Sequence, residues 1–308
     1  MMIDTIQSGV AQGLLWAILT IGVFLTFRVL DIPDLTIEGT FPLGAAVTVV
    51  LINAGMNPIL AMLICVIAGA IAGLVTGILH TKFKIPAILA GILTQIALYS
   101  VNIRIMGDKA TVAIAGDSVK SMVTKLFPEG TAPNTISIVV GLACCTIIIL
   151  ALYRFFGTEL GCAVRATGSN QKMARAQGIN TDRMINLCLA LSNALVALAG
   201  SLIAQFDYGS ALVNMGQGTI VIGLASVIIG EVLFVRKERN FGFKMAAVSV
   251  GAIVYRTIIA AALTLPWMKA TDLKLITAVI VAVALAIPAW KGKSGFKRKK
   301  FVVESEGE

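Results

Sequence analysis

The chain has 308 residues, 57% of them apolar and 13% charged, with a formal net charge of +9 and a mean hydropathy of +0.91. So much apolar surface exceeds what one water-soluble core of this length encloses, which excludes an ordinary soluble globular protein and makes lipid the solvent for much of the chain. Spanning elements must then be helices that satisfy their own backbone, about 20 residues for a hydrocarbon layer of about 30 Å.

Met1 to Gln7 carry Asp4 and no Lys or Arg. The positive segment of a cleaved secretory signal is missing, so the first span is expected to be retained. Apolar runs between breakers give nine candidate spans: 8–30, 41–54, 59–80, 86–103, 134–156, 184–206, 216–235, 242–264 and 273–290. Pro58 and Pro86 stand at helix starts and Pro266 follows a helix end, while Pro42 is expected to open the short second span after the Gly39 break. The expected fold is an all-α integral membrane protein of about nine transmembrane segments, with broken helices and inverted repeats.

Between the first two spans, residues 30–44 hold Asp31, Asp34 and Glu38 together with two prolines and two glycines. Residues 207–218 interrupt the second half at a similar place. Such paired interruptions point to inverted repeats, in which irregular backbone lines a cavity; two ordinary connecting loops are the alternative. On the first reading Thr36, Glu38, Thr40, Asn214 and Gln217 lie near a translocation path or its gates. Polar residues within spans join them as candidates, because a polar group in hydrocarbon must face protein or water: Gln95, Asn193 and Gln205, with Tyr99, Asn186 and Ser192. Hydrogen bonding between helices is the competing role. Arg256 lies deep in a span and needs an acceptor, for which Glu231 is too shallow.

In the third span Gly69, Gly73 and Gly77 put three missing side chains on one face, where a neighbouring helix or a second copy approaches closely. His80 reads as an interfacial residue beside Lys82 and Lys84. Cys65, Cys144, Cys145, Cys162 and Cys188 lie in or beside apolar runs without C-x-x-C spacing, so small-residue packing is expected and no metal site.

Orientation follows from where cations collect. With the basic tail (Lys291, Lys293, Lys297, Arg298, Lys299, Lys300) inside, its side also holds Arg28, Lys82, Lys84, Arg154, Arg165, Lys172, Arg175, Arg183, Arg236, Lys237, Arg239 and Lys244. The opposite side holds only Arg104, Lys109, Lys120, Lys125, Lys269 and Lys274. The C-terminus is therefore expected in the cytoplasm and, with nine spans, the N-terminus outside. The net charge needs no nucleic acid to explain it. Residues 1–290 form the transmembrane domain, 104–133 an extracytoplasmic loop and 291–308 a basic-then-acidic cytoplasmic tail.

The polar insert 157–183 falls on the cytoplasmic side. Asn170 is a good N-cap, residues 171–177 favour helix, Gly178 is a natural stop, and Asn180 or Thr181 caps the next span. A short helix bearing Met173 and Ala174 between cations suits a groove on a soluble partner, against the alternative of a solvated basic loop.

The run Gly161, Arg165, Ala166, Asn170, Ala174, Gly178, Ile179, Asn180 resembles the coupling loop of bacterial ABC-transporter permeases of the branched-chain amino acid and ribose class. The stretch Leu35 to Phe41 and the following Gly44-Ala45-Ala46 look like members associated with amino-acid uptake, including tryptophan-type systems. The resemblance covers the chain from Ser8 to about Trp290. It implies a non-enzymatic transport subunit in the bacterial plasma membrane, working by alternating access as one of two permease copies, with two cytoplasmic ATPase subunits and an extracytoplasmic solute-binding protein. Arg165 through Gly178, including Met173, would contact the ATPase. No G-x-x-x-x-G-K-[ST] motif occurs, so ATP and Mg belong to the partner ATPase and no cofactor to this chain. An amino acid, aromatic or branched-chain, is the expected solute, with a sugar or nucleoside next. An ion-coupled secondary transporter and a non-transporting scaffold are the rival classes.

Overall fold

A computed structural model describes residues 2–128, 132–234 and 240–264, with helical positions 275, 277–279, 281 and 282 beyond. The ninth expected span therefore lies largely outside the described residues, as do residues 129–131, 235–239 and the 291–308 tail. Eight of the expected spans have a helical counterpart. In chain order these are α1 (Met2–Phe24), α2 (Ile37–Asn53), α3 (Pro58–Thr81), α4 (Ala87–Ile105), then a strand β1 (Thr111–Ala113), α5 (Val119–Thr124), α6 (Pro133–Phe156), α7 (Glu159–Ser169), α8 (Gln171–Ala176), α9 (Thr181–Ile203), β2 (Ser210–Leu212), α10 (Thr219–Phe234) and α11 (Phe241–Ala262). Seven of these segments are long and apolar enough to cross a membrane, and α2 is an eighth, shorter one.

The two central helices, α1 and α9, are the most enclosed, while α3, α4 and α6 present Ile67, Ile71, Leu93, Ile96, Ile147 and Leu150 outward. An outer ring with an apolar exterior is what lipid requires. Each central helix ends in one π-helical turn, Leu25–Val29 after α1 and Ala204–Tyr208 after α9. A residue with left-handed backbone follows closely in both, Asp31 at φ 58° and Gly209 at φ 63°. A broken segment and a shorter apolar helix come next, α2 in the first half and α10 in the second. The packing has the same correspondence: α1 lies most extensively on α11, and α3 on α9. The two interrupted units therefore pack reciprocally, the first helix of each on the last helix of the other.

The face of Gly69, Gly73 and Gly77 meets α9 at Asn193, Leu189 and Asn186, so these glycines serve packing within the chain. A side chain at Gly73 would strike the Leu189 carbonyl.

Four expectations are corrected. Helix α2 begins at Ile37, which places Pro42 inside it rather than at its start. The segment 104–133 is more than a loop: β1 pairs antiparallel with β2, Val112 opposite Ala211, and α5 is capped by Ser118. The insert 157–183 holds two helices, because Thr158 caps α7 ahead of the expected α8. Of the cysteines, Cys65, Cys145 and Cys188 are buried as expected, but Cys162 is exposed on α7.

Candidate functional site

Two regions carry the sequence candidates. The first begins at Glu38, the second residue of α2. Its Oε1 accepts from the backbone N–H of Gly218 at 3.0 Å and its Oε2 from Gln95 Nε2 at 3.0 Å. One carboxylate thus ties the first broken segment to α4 and to the second broken segment. Pro42, four residues on, has no N–H to offer the Glu38 carbonyl. Gly216 packs against that carbonyl and the Pro42 ring, where a Cβ would collide. The proline inside α2 therefore marks the point at which the two interruptions touch.

Beside this junction runs a buried polar seam. Asp34, 1% exposed, accepts from the Thr36 N–H at 2.9 Å and from Asn193 Nδ2 at 2.7 Å. Thr40 Oγ1 donates to Asn193 Oδ1 at 2.8 Å. The hydroxyls of Thr36 and Thr76 lie 2.6 Å apart, and Thr76 donates to Thr94 at 2.9 Å. Asn102 Nδ2 donates to the Gly39 carbonyl at 3.1 Å, while its Oδ1 has no partner among the described residues. Bonds that reinforce one another in a low-dielectric interior fix α2, α3, α4 and α9 in one register.

Thr36, Glu38, Thr40, Gln95 and Asn193 are thus brought together. Gln217 adjoins Gly218 in sequence but is exposed, its Nε2 donating to Asn214 Oδ1 at 3.4 Å on the surface. Gln205 stands apart: it accepts from Val119 N–H at 2.8 Å and so anchors α5. Sequence reasoning missed Asp34, Thr76 and Thr94. Asp34 had a signal, being a carboxylate in the same interruption; the two threonines had none, since a threonine in a span also bonds its own helix, as Thr94 does to Ala90.

The second region is the insert. Asn170 Oδ1 accepts from Met173 N–H at 3.0 Å, Gly178 takes φ 82° and Asn180 Oδ1 accepts from Arg183 N–H at 3.1 Å, all as the sequence predicts. Left-handed backbone of this kind favours glycine at Gly178. Two glycines seat α7: Gly161 on the Phe155 carbonyl and Phe156, and Gly168 on the Val29 carbonyl of the π-turn. Arg175 bonds Thr181 at 2.6 Å and Asp182 at 2.8 Å, and Lys84 reaches Asp182 at 3.8 Å, which locks α8 to the start of α9. Of the expected contact residues, Arg165, Asn170, Met173 and Gly178 are exposed. Ala166 and Ile179 are half-buried, and Ala174 is 3% exposed, so it packs inward rather than toward a partner. Arg165 lies 5.8 Å over the Phe241 ring, and Arg28 in the π-turn pairs with Glu231 of α10.

Residues 5–286 match the family described as branched-chain amino acid transport system / permease component. The chain belongs to this permease family. The permease is 41% identical over 281 residues to a tyrosine transport system permease protein of Clostridioides difficile, covering 91% of this chain and 90% of that one. It is 28% identical over 167 residues to a fructose import permease protein of Bifidobacterium longum, covering 54% and 49%. Its fold is similar to an inward-facing metal-chelate type ABC transporter at TM-score 0.50 and 16% identity, over 94% of this chain and 85% of that one. It is therefore a multi-span ABC-transporter permease, a transport subunit, with a membrane and ATPase partners implied by that class. An ion-coupled carrier and a non-transporting scaffold are set aside.

Proposed function

We propose that the permease imports an amino acid, with an aromatic one first, by alternating access between two copies driven by two separate ATPase subunits that hold ATP and Mg. The observation that carries the path is Glu38, whose single carboxylate joins both interrupted segments and α4. Breaking and remaking such a junction lets two packed units rock as bodies around it. The amino-acid choice rests on the 41% identity to a tyrosine transport permease, against the shorter match to a fructose permease.

Force enters through the insert. Arg165 and Met173 face outward to meet the ATPase, while α7 sits through Gly168 on the π-turn that ends α1. The insert lies in the cytoplasm, with the C-terminus inside and the N-terminus outside the bacterial plasma membrane, as the cation distribution favours. An extracytoplasmic binding protein delivers the solute to the end that carries β1, β2 and α5.

Reconstitution of the permease in liposomes with its ATPase and binding protein tests this. ATP-dependent accumulation of L-tyrosine or another amino acid is expected. Accumulation of a sugar with no amino acid would overturn the substrate.

A further inference from the structure

At the end of the bundle where α1 begins and α9 and α11 finish, a cavity of about 540 Å³ opens between Thr5, Ser8, Gln12, Asp207, Tyr208, Arg256, Ile259, Ala260 and Leu263. Arg256 enters it from under two turns below the end of α11. Its guanidinium stacks on Trp16, 3.7 Å from the ring centroid, and its Nε is buried without a hydrogen-bond partner among the described residues. Across the cavity Asp207 accepts one hydrogen bond, from Gln12 Nε2 at 3.0 Å. Among the described residues no ion pair joins Asp207 to Arg256. The nearby Lys120 donates one hydrogen bond to the Phe206 carbonyl at 3.0 Å.

A cation held among apolar helices is costly unless its donors are met, and the Trp16 face meets only its charge. The planar fork of a guanidinium fits a carboxylate. The remaining oxygen of Asp207, Oδ2, fits an ammonium. Two opposite charges that line one cavity without pairing have a shape that a zwitterion completes.

We infer that this cavity is an entry site for an α-amino acid, with Arg256 holding the α-carboxylate, Asp207 the α-ammonium and Gln12 orienting Asp207. The site rests on the amino-acid reading above and adds to it a place of recognition in the permease itself. Tyr208 and the apolar row Ile259, Ala260 and Leu263 leave room for a large side chain.

The test uses the full-length permease in lipid nanodiscs and radiolabelled L-tyrosine. Tyramine, which lacks the carboxylate, and 3-(4-hydroxyphenyl)propionate, which lacks the ammonium, are the competitors. Wild type is expected to bind L-tyrosine at least tenfold more tightly than either. In Arg256→Gln the advantage over tyramine disappears; in Asp207→Asn the advantage over the propionate disappears; Arg256→Lys restores part of the first. No L-tyrosine binding by wild type, or equal binding of all three compounds, sinks the site without any variant having to fold. Variants that fold and keep the wild-type order of preference sink it as well. ATP-driven uptake separates the two ideas: L-tyrosine uptake by wild type, Arg256→Gln and Asp207→Asn alike leaves the amino-acid reading standing and removes the site. Uptake of fructose in place of any amino acid removes the reading beneath it.

Discussion

Glu38 shows how much one side chain holds at this site. It is half-buried and accepts from two elements distant in sequence, so its removal leaves the Gly218 N–H and the Gln95 amide without their acceptor. Glu38→Ala is expected to cost about 1–3 kcal/mol of stability and to lower ATP-driven uptake severalfold; thermal unfolding and transport rates measure the two separately. Uptake at the wild-type rate would remove Glu38 from the gate. Arg165 is a different case, because it is exposed and its side chain, among the described residues, contacts only Cys162 and Phe241. Arg165→Glu should leave insertion and folding intact while uncoupling ATP hydrolysis from uptake, as read by ATPase activity and transport in the same proteoliposomes. Both residues were legible in the sequence, Glu38 as a carboxylate in an interruption and Arg165 in a recognisable loop. Asp34 was not singled out from its neighbours, since nothing in the chain order tells that Asn193 lies opposite it.

Among the elements, α3 and α9 approach closely, and three glycines set the contact. Gly73→Ala drives a methyl group into the Leu189 carbonyl, and overpacking of this kind costs about 1–3 kcal/mol. A lowered melting temperature is expected, and a larger loss for Gly73→Leu; unchanged melting of both would show that the helices move apart freely. The glycine spacing predicted a tight contact but left its partner open between another helix and a second copy. Only packing selected α9. The insert was nearly the reverse, since its caps and stop are local chemistry: Asn170, Gly178 and Asn180 act on backbone within three residues of themselves, and the sequence reads them correctly. Helix α7 escaped notice because its role depends on Gly161 and Gly168 touching Phe156 and Val29.

At the scale of the whole molecule the two ends are chemically distinct. One carries Arg28 with Glu231, Lys84 with Asp182, and α7 over Phe241; the other carries β1 with β2, α5, and the cavity of Asp207 and Arg256. Cys162, exposed on α7, gives a test of which end meets the cytoplasm, because Cys65, Cys145 and Cys188 are buried. A membrane-impermeant maleimide is expected to label wild type in inside-out vesicles and not in right-side-out ones, with Cys162→Ser abolishing most of the signal. The opposite pattern reverses the orientation proposed for the chain.

By itself the sequence determined the solvent, the helical class, most span positions and the local caps, because hydropathy, helix length and capping act over a few turns of one segment. It also placed two interruptions at similar points, the first through prolines, glycines and carboxylates and the second through Asp207, Asn214, Gln217 and glycines, polar groups that are costly in lipid. Tertiary structure decided that the interruptions meet at Glu38, that Pro42 sits inside α2 against Gly216, and that Arg256 faces Asp207 across a cavity without pairing. Those contacts join residues more than forty positions apart. Their energies come from close approach and shared burial, which no single segment encodes.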